Sequence, residues 1–152
     1  MSQSTDSLNN AVLKRMRGGD VALGMNGRIV RSGDLIRIAK ATDHDFVFID
    51  SQHALYDLET IGHIANLGLA LDITTLVRVR SVNDPDVSLL LDSGVQGIVF
   101  PDVNTAAEAR KAVETCRFSP LGKRSVGGGF VHFNFRGVPL KDRKSTRLNS
   151  SH

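Results

Sequence analysis

The sequence has one cysteine, no apolar run long enough to cross a membrane, and no stretch where aromatic and basic residues interleave. Each absence removes a class of function. Cys116 has no second cysteine to pair with inside the chain, and it falls in a helical pattern, so it reads as a small core residue. A membrane-spanning helix needs about 18 or more consecutive apolar residues, and none occurs. The N-terminal stretch MSQSTDSLNNAVLKRMRGGD lacks the apolar segment of a secretory signal. These features together lead us to expect a reducing, cytoplasmic setting. The formal charge of +3 suggests a nucleic-acid partner only until its distribution is read. Residues 142–152 hold Arg143, Lys144 and Arg147 against Asp142, so they carry +2 of it and the other 141 residues only +1. With no stacking platform beside those cations, neither a nucleic acid nor a membrane surface is an expected partner.

What is present suits one soluble α/β domain: 152 residues, 41% hydrophobic and 23% charged. Four short, nearly continuous apolar runs have strand length: VALGMN (21–26), DFVFID (45–50), TTLVRV (74–79) and QGIVFP (96–101). Apolarity on both faces points to a parallel sheet. Helices are expected at about 6–17 ahead of Gly18, at 32–42 behind Ser32, and at 57–70 behind Asp57. Two more are expected, at 83–94 with Pro85 in the first turn and Gly94 as a stop, and at 104–116 behind Asn104. Strand–helix alternation of this kind gives right-handed βαβ units. A doubly wound sheet carries G-x-G-x-x-G after its first strand, and the stretch GMNGRIVRSGD has no such pattern. A (β/α)8 barrel takes about 250 residues. From the pattern alone, the chain is a small open α/β domain or about four βα units of a barrel.

In either architecture ligands bind at the carboxyl ends of the strands. Asp50, Gln52 and His53 follow the second strand, Arg78 or Arg80 ends the third, and Pro101-Asp102 follows the fourth. An imidazole moves protons near neutral pH, a carboxylate beside it fixes its tautomer, and a guanidinium offers a planar fork to a carboxylate or enolate. That set suits proton transfer beside an anionic 2-oxo acid. Gly127-Gly128-Gly129 suggest either an anion nest or a flexible loop. His44 reads as a loop residue and His63 as a helix-surface residue, and His132 suggests no role.

The strings FVFIDSQHALYDLETI, LVRV, NDP and LLLDSGVQGIVFPDVNTAAEARKAVETCRFSPLGKRSVGG, in that order, resemble the HpcH/HpaI aldolase family. These are class II, metal-dependent pyruvate aldolases on a TIM barrel, of the 2,4-dihydroxyhept-2-ene-1,7-dioate aldolase type. The resemblance runs from about Ala22 to Gly129. It implies an aldehyde-lyase that reversibly cleaves a 4-hydroxy-2-oxo acid to pyruvate and an aldehyde, with His53 as proton acceptor and donor and Arg78 stabilising the pyruvate enolate. It also implies Asp50 as a carboxylate orienting His53, and Asp92 as a carboxylate raising the basicity of a histidine. The arginine-to-aspartate spacing favours Arg78 over Arg80. Gln52 stands where the family often has glutamate, so it can hydrogen-bond the substrate without adding charge. Asp92 ends a helix at the opposite end of the barrel, and would reach a histidine only from another subunit. The family's divalent metal (Mg2+, Mn2+ or Co2+) is held by a Glu and an Asp of strands five and six. No metal ligand is therefore expected in this chain, since Glu108 and Glu114 lie on a helix. The family tends to form hexamers.

The expected organisation is the N-terminal half of a TIM barrel over residues 1–141, followed by a tail, DRKSTRLNSSH, that resembles a translated sequencing adapter. Such a half barrel, inactive alone, is expected to aggregate or to pair with a second copy. Two alternatives remain: a non-catalytic paralogue that binds a 2-oxo acid or a full-length subunit, and a citrate-lyase-like lyase acting on acyl-CoA esters.

Overall fold

A computed structural model describes residues 10–126 and 131–133. The proposed tail and the triglycine segment, Gly127–Gly129, lie outside the described residues. Four parallel strands form one sheet: β1 (Gly24–Gly27), β2 (Phe46–Asp50), β3 (Thr74–Arg78) and β4 (Gly97–Val99). They lie side by side in chain order, with no switch point. In register, Phe46 meets Gly24 and Thr74, Phe48 meets Asn26 and Leu76, and Asp50 meets Arg78.

The helices are α1 (Ala11–Arg17), α2 (Asp34–Ala41), α3 (Leu58–Leu71), α4 (Val87–Asp92) and α5 (Ala106–Cys116). Their start signals are local. Asp57 accepts a hydrogen bond from the Thr60 amide (2.7 Å), and Thr105 and Glu108 form a reciprocal capping box. α3 buries Ile61, Ile64, Ala65 and Gly68, and α2 buries Leu35, Ile36 and Ala39. Alternation along the strands then sorts the two faces of the sheet. Val47, Ile49 and Val77 point to the helices and are fully buried, whereas Phe46, Phe48, Leu76 and Val99 on the other face are only partly buried.

That second face is the inner wall of a barrel, packed in layers. A Cβ at Gly24 would lie 2.0 Å from the Phe46 ring, and one at Gly97 would lie 2.6 Å from Leu76 Cδ2, so each glycine makes room for a large neighbour. α1 lies across the start of the strands. The Val12 amide donates to Thr74 Oγ1 (3.5 Å), and Arg15 pairs with buried Asp45 (2.5 Å). The architecture is α/β, four βα units making the N-terminal half of a TIM barrel.

Several boundaries differ from the sequence expectation. β1 begins and ends later than 21–26. The segment expected to open the fourth helix is a loop, in which Asp84 accepts the Arg80 amide and Nε (both 3.0 Å) and the Asp86 amide (3.0 Å). A buried carboxylate satisfied by four donors, Arg80 Nη2 (3.2 Å) being the fourth, holds that loop better than an added helical turn would, so α4 starts only at Val87. Ser32 accepts from the Asp34 amide (3.2 Å) one residue outside the cap position, which Gly33 occupies.

Candidate active site

The carboxyl ends of β2 and β3 place Asp50 and Arg78 side by side in the sheet register. Arg78 grips Asp50 with a fork: Nε donates to Oδ1 (3.1 Å) and Nη2 to Oδ2 (2.7 Å). Asp50 is 2% exposed, and its Oδ1 also accepts the amides of Gln52 and His53 (both 3.1 Å). The Arg78 fork holds the Asp50 carboxyl down at about 2; burial opposes this and the two amides reinforce it. The same pairing raises the pKa of Arg78. Two of the five donors of Arg78 are committed in this way, and its Nη1 has no hydrogen-bond partner among the described residues. The side chain is 29% exposed, which leaves it open to a ligand from solvent.

His53 sits in the loop after β2 and is exposed. Its backbone is held on both sides, by Asp50 at the N–H and by Arg28 Nη2 at the carbonyl (3.0 Å). Its ring has no hydrogen-bond partner among the described residues. Asp50 thus fixes the peptide of His53, whereas the expectation had it orienting the imidazole. Gln52 Nε2 donates to Asp102 Oδ2 (3.3 Å), which joins the ends of β2 and β4. Asp102 adopts a left-handed backbone (φ +53°), and its charge also acts on Arg78.

The structure separates the two arginine candidates. Arg78 faces the mouth, and Arg80 is tied to Asp84 and Asp86 in the following loop. Asp92, the last residue of α4, pairs with buried Arg124 at the end of the sheet where strands begin, away from His53. Arg124 lies over the Phe118 ring (4.9 Å), and burial pushes its pKa down. Cys116 packs against the core, and burial pushes its thiol up, as a structural cysteine requires. His44 bonds Thr42 in the turn before β2 (2.8 Å), and exposed His63 stands 3.6 Å from Glu59 on α3. His132 bonds the Leu91 carbonyl (2.7 Å).

Sequence reasoning missed Arg28, Arg31 and Tyr56. Arg28 is the first residue after β1, the same kind of position as the other mouth residues. Ending the first strand at residue 26 put it inside a loop and hid that signal. Its Nε lies 3.7 Å from Asp50 Oδ2, so two guanidinium groups flank one carboxylate. Among the described residues, no three His, Cys, Asp or Glu side chains gather to hold a metal ion. None of their helices is long and apolar enough to cross a membrane.

The strand ends thus gather a guanidinium paired with a buried carboxylate, an exposed imidazole and a polar rim. The sequence pattern describing the HpcH/HpaI aldolase/citrate lyase family matches residues 30–148. The chain is 36% identical over 132 residues to the 4-hydroxy-4-methyl-2-oxoglutarate aldolase tasA of Hapsidospora irregularis, covering 86% of this chain and 49% of that protein. It is 40% identical over 120 residues to the 4-hydroxy-4-methyl-2-oxoglutarate aldolase cghB of Chaetomium globosum, covering 78% of this chain and 45% of that one. The crystal structure of an HpcH/HpaI aldolase from Desulfitobacterium hafniense DCB-2 superposes with a TM-score of 0.83 at 29% identity, over 90% of this chain and 52% of that one. The chain thus spans about half the length of the curated relatives it matches.

Proposed function

The chain belongs to the HpcH/HpaI aldolase/citrate lyase family, and from that premise we propose that its protein is a carbon–carbon lyase cleaving a 4-hydroxy-2-oxo acid to pyruvate and a carbonyl compound. The observation that carries the proposal is the pairing at the mouth of an Arg78 edge with open donors and a His53 ring with no competing partner. In the cleavage direction, the substrate carboxylate lies on Arg78 Nη1. His53 takes the proton of the C4 hydroxyl and the C3–C4 bond breaks. The C4 oxygen becomes a carbonyl, and the bonding pair passes to C3 as the enolate of pyruvate. The same imidazolium then returns its proton to C3. Asp50 keeps Arg78 charged and edge-on, while Gln52 and Asp102 offer polar contacts at the rim. The names of the two fungal relatives suggest 4-hydroxy-4-methyl-2-oxoglutarate as a first substrate to try. We place the barrel domain at 1–141 and a foreign tail at 142–152.

The resemblance implies a divalent cation, which would polarise the 2-oxo group. The described residues do not fit it: Asp50, the buried carboxylate of the mouth, already has both oxygens taken by arginine and amide donors. The role the resemblance gives Asp92 requires a second subunit, since its own chain pairs it with Arg124.

A second reading is a module that binds 2-oxo acids without turning them over, for which the open donor edge of Arg78 would suffice. A lactate-dehydrogenase-coupled assay of the complete protein, not of this half alone, with Mg2+, Mn2+ or Co2+ decides between them. The lyase reading expects pyruvate release that His53→Ala reduces at least about a hundredfold. Release undiminished in that variant removes His53 from the mechanism. Saturable pyruvate binding without release under any of the cations establishes the binding module instead.

A further inference from the structure

We propose that Arg28 is a positioning residue for His53, the second half of a clamp that fixes the histidine backbone while leaving its ring unbonded. The His53 imidazole has no hydrogen-bond partner among the described residues, so the hydrogen bonds that hold His53 there are those of its backbone. That backbone is gripped twice: Asp50 Oδ1 accepts the His53 N–H (3.1 Å), and Arg28 Nη2 donates to the His53 carbonyl (3.0 Å). The circuit closes, because Arg28 Nε stands 3.7 Å from Asp50 Oδ2. One guanidinium therefore ties the end of β1, the end of β2 and the residue that moves the proton.

Further along, the same pair of loops is joined twice more. Arg31 Nε donates to the Leu55 carbonyl (2.9 Å), and Tyr56 Oη donates to the Val30 carbonyl (2.7 Å). The loop after β1 is thus a brace for the loop that carries His53. Arg28 is the part of the brace that touches His53 itself, and an ammonium on a lysine stem cannot reproduce a fork that serves a carbonyl and a carboxylate together. What His53 does once it is held rests on the lyase reading, but the geometry does not.

The test compares Arg28→Gln, Arg28→Lys and the control Tyr56→Phe in the full chain by amide hydrogen exchange, with melting temperature measured alongside. The expected result is exchange at the His53 amide at least about tenfold faster in Arg28→Gln and less accelerated in Arg28→Lys. The core amides of Val47 and Val77 and the melting temperature are expected to stay as in the wild type, and Tyr56→Phe to leave the His53 amide protected. In the coupled assay of the complete protein, Arg28→Gln lowers kcat more than it raises KM, because a misplaced base loses rate before binding. Unchanged exchange at His53, or equal acceleration at His53 and the core amides, overturns the proposal. A complete protein that releases no pyruvate, while this chain shows the exchange pattern, defeats the lyase reading and leaves the clamp standing.

Discussion

Replacing Asp50 with asparagine tests the electrostatics of the mouth, and its size follows from the structure. The carboxylate is 2% exposed and accepts from Arg78 Nε, Arg78 Nη2 and the amides of Gln52 and His53. Its drop from 3.8 to about 2 corresponds to roughly 2 kcal/mol of stability at neutral pH. An asparagine keeps one acceptor oxygen for the amides but turns an NH2 group toward the guanidinium, donor against donor. Arg78 is 29% exposed, so water compensates part of the loss, and the cost lies below that of breaking a fully buried pair. We expect about 2–3 kcal/mol, or a fall in melting temperature of roughly 4–12 °C for a chain of this size. The pH dependence carries the sign. A depressed carboxyl contributes its full stability above the ordinary value near 3.8 and loses it as pH falls through the folded value of about 2. Melting curves of the two proteins should therefore differ most above about pH 5 and converge toward pH 2. A difference below about 0.5 kcal/mol at pH 7 refutes the reasoning, as does a larger one that ignores pH.

Two further outcomes test the scaffold and the separation of function from stability. Gly68→Ala should cost about 1–3 kcal/mol by thermal melting, since a Cβ there would lie 2.7 Å from the Ile73 carbonyl oxygen and 2.6 Å from Thr75 Oγ1, where α3 meets β3. His53→Ala, which removes an exposed ring with no hydrogen bond among the described residues, should change the melting temperature by no more than a degree or two while cutting pyruvate release by the complete protein at least about a hundredfold.

Much of the fold could be read from the sequence because it is specified locally. Asp57 and the β-branched runs of β2 and β3 act within a few residues of themselves, and the structure places those elements within a residue or two of expectation. The start of α4 could not be read in this way. Pro85 suits a first helical turn in sequence, but in three dimensions its neighbour Asp84 satisfies Arg80 and the chain around it. Asp50, Arg78 and His53 were visible as strand-end residues, and Arg78 separates from Arg80 only when the partners of each are seen. Arg28 was invisible for a different reason. Gly24 looks like a late position in the first strand, but the strand begins there, under the Phe46 ring, three residues later than expected, and ends one residue later, at Gly27. Which part of His53 meets Asp50 is also a question of backbone direction, and spacing alone cannot answer it.

The central claim is that Arg78 and His53 form one receptor for a 2-oxo acid. Titrating the full chain with pyruvate while following the Arg78 Nε–H and His53 ring resonances by NMR tests it most directly. A single arginine–carboxylate contact predicts saturable shifts at both groups with a dissociation constant on the order of 1 mM, lost in Arg78→Gln. Pyruvate that perturbs neither group, or that binds Arg78→Gln as tightly as the wild type, contradicts the account.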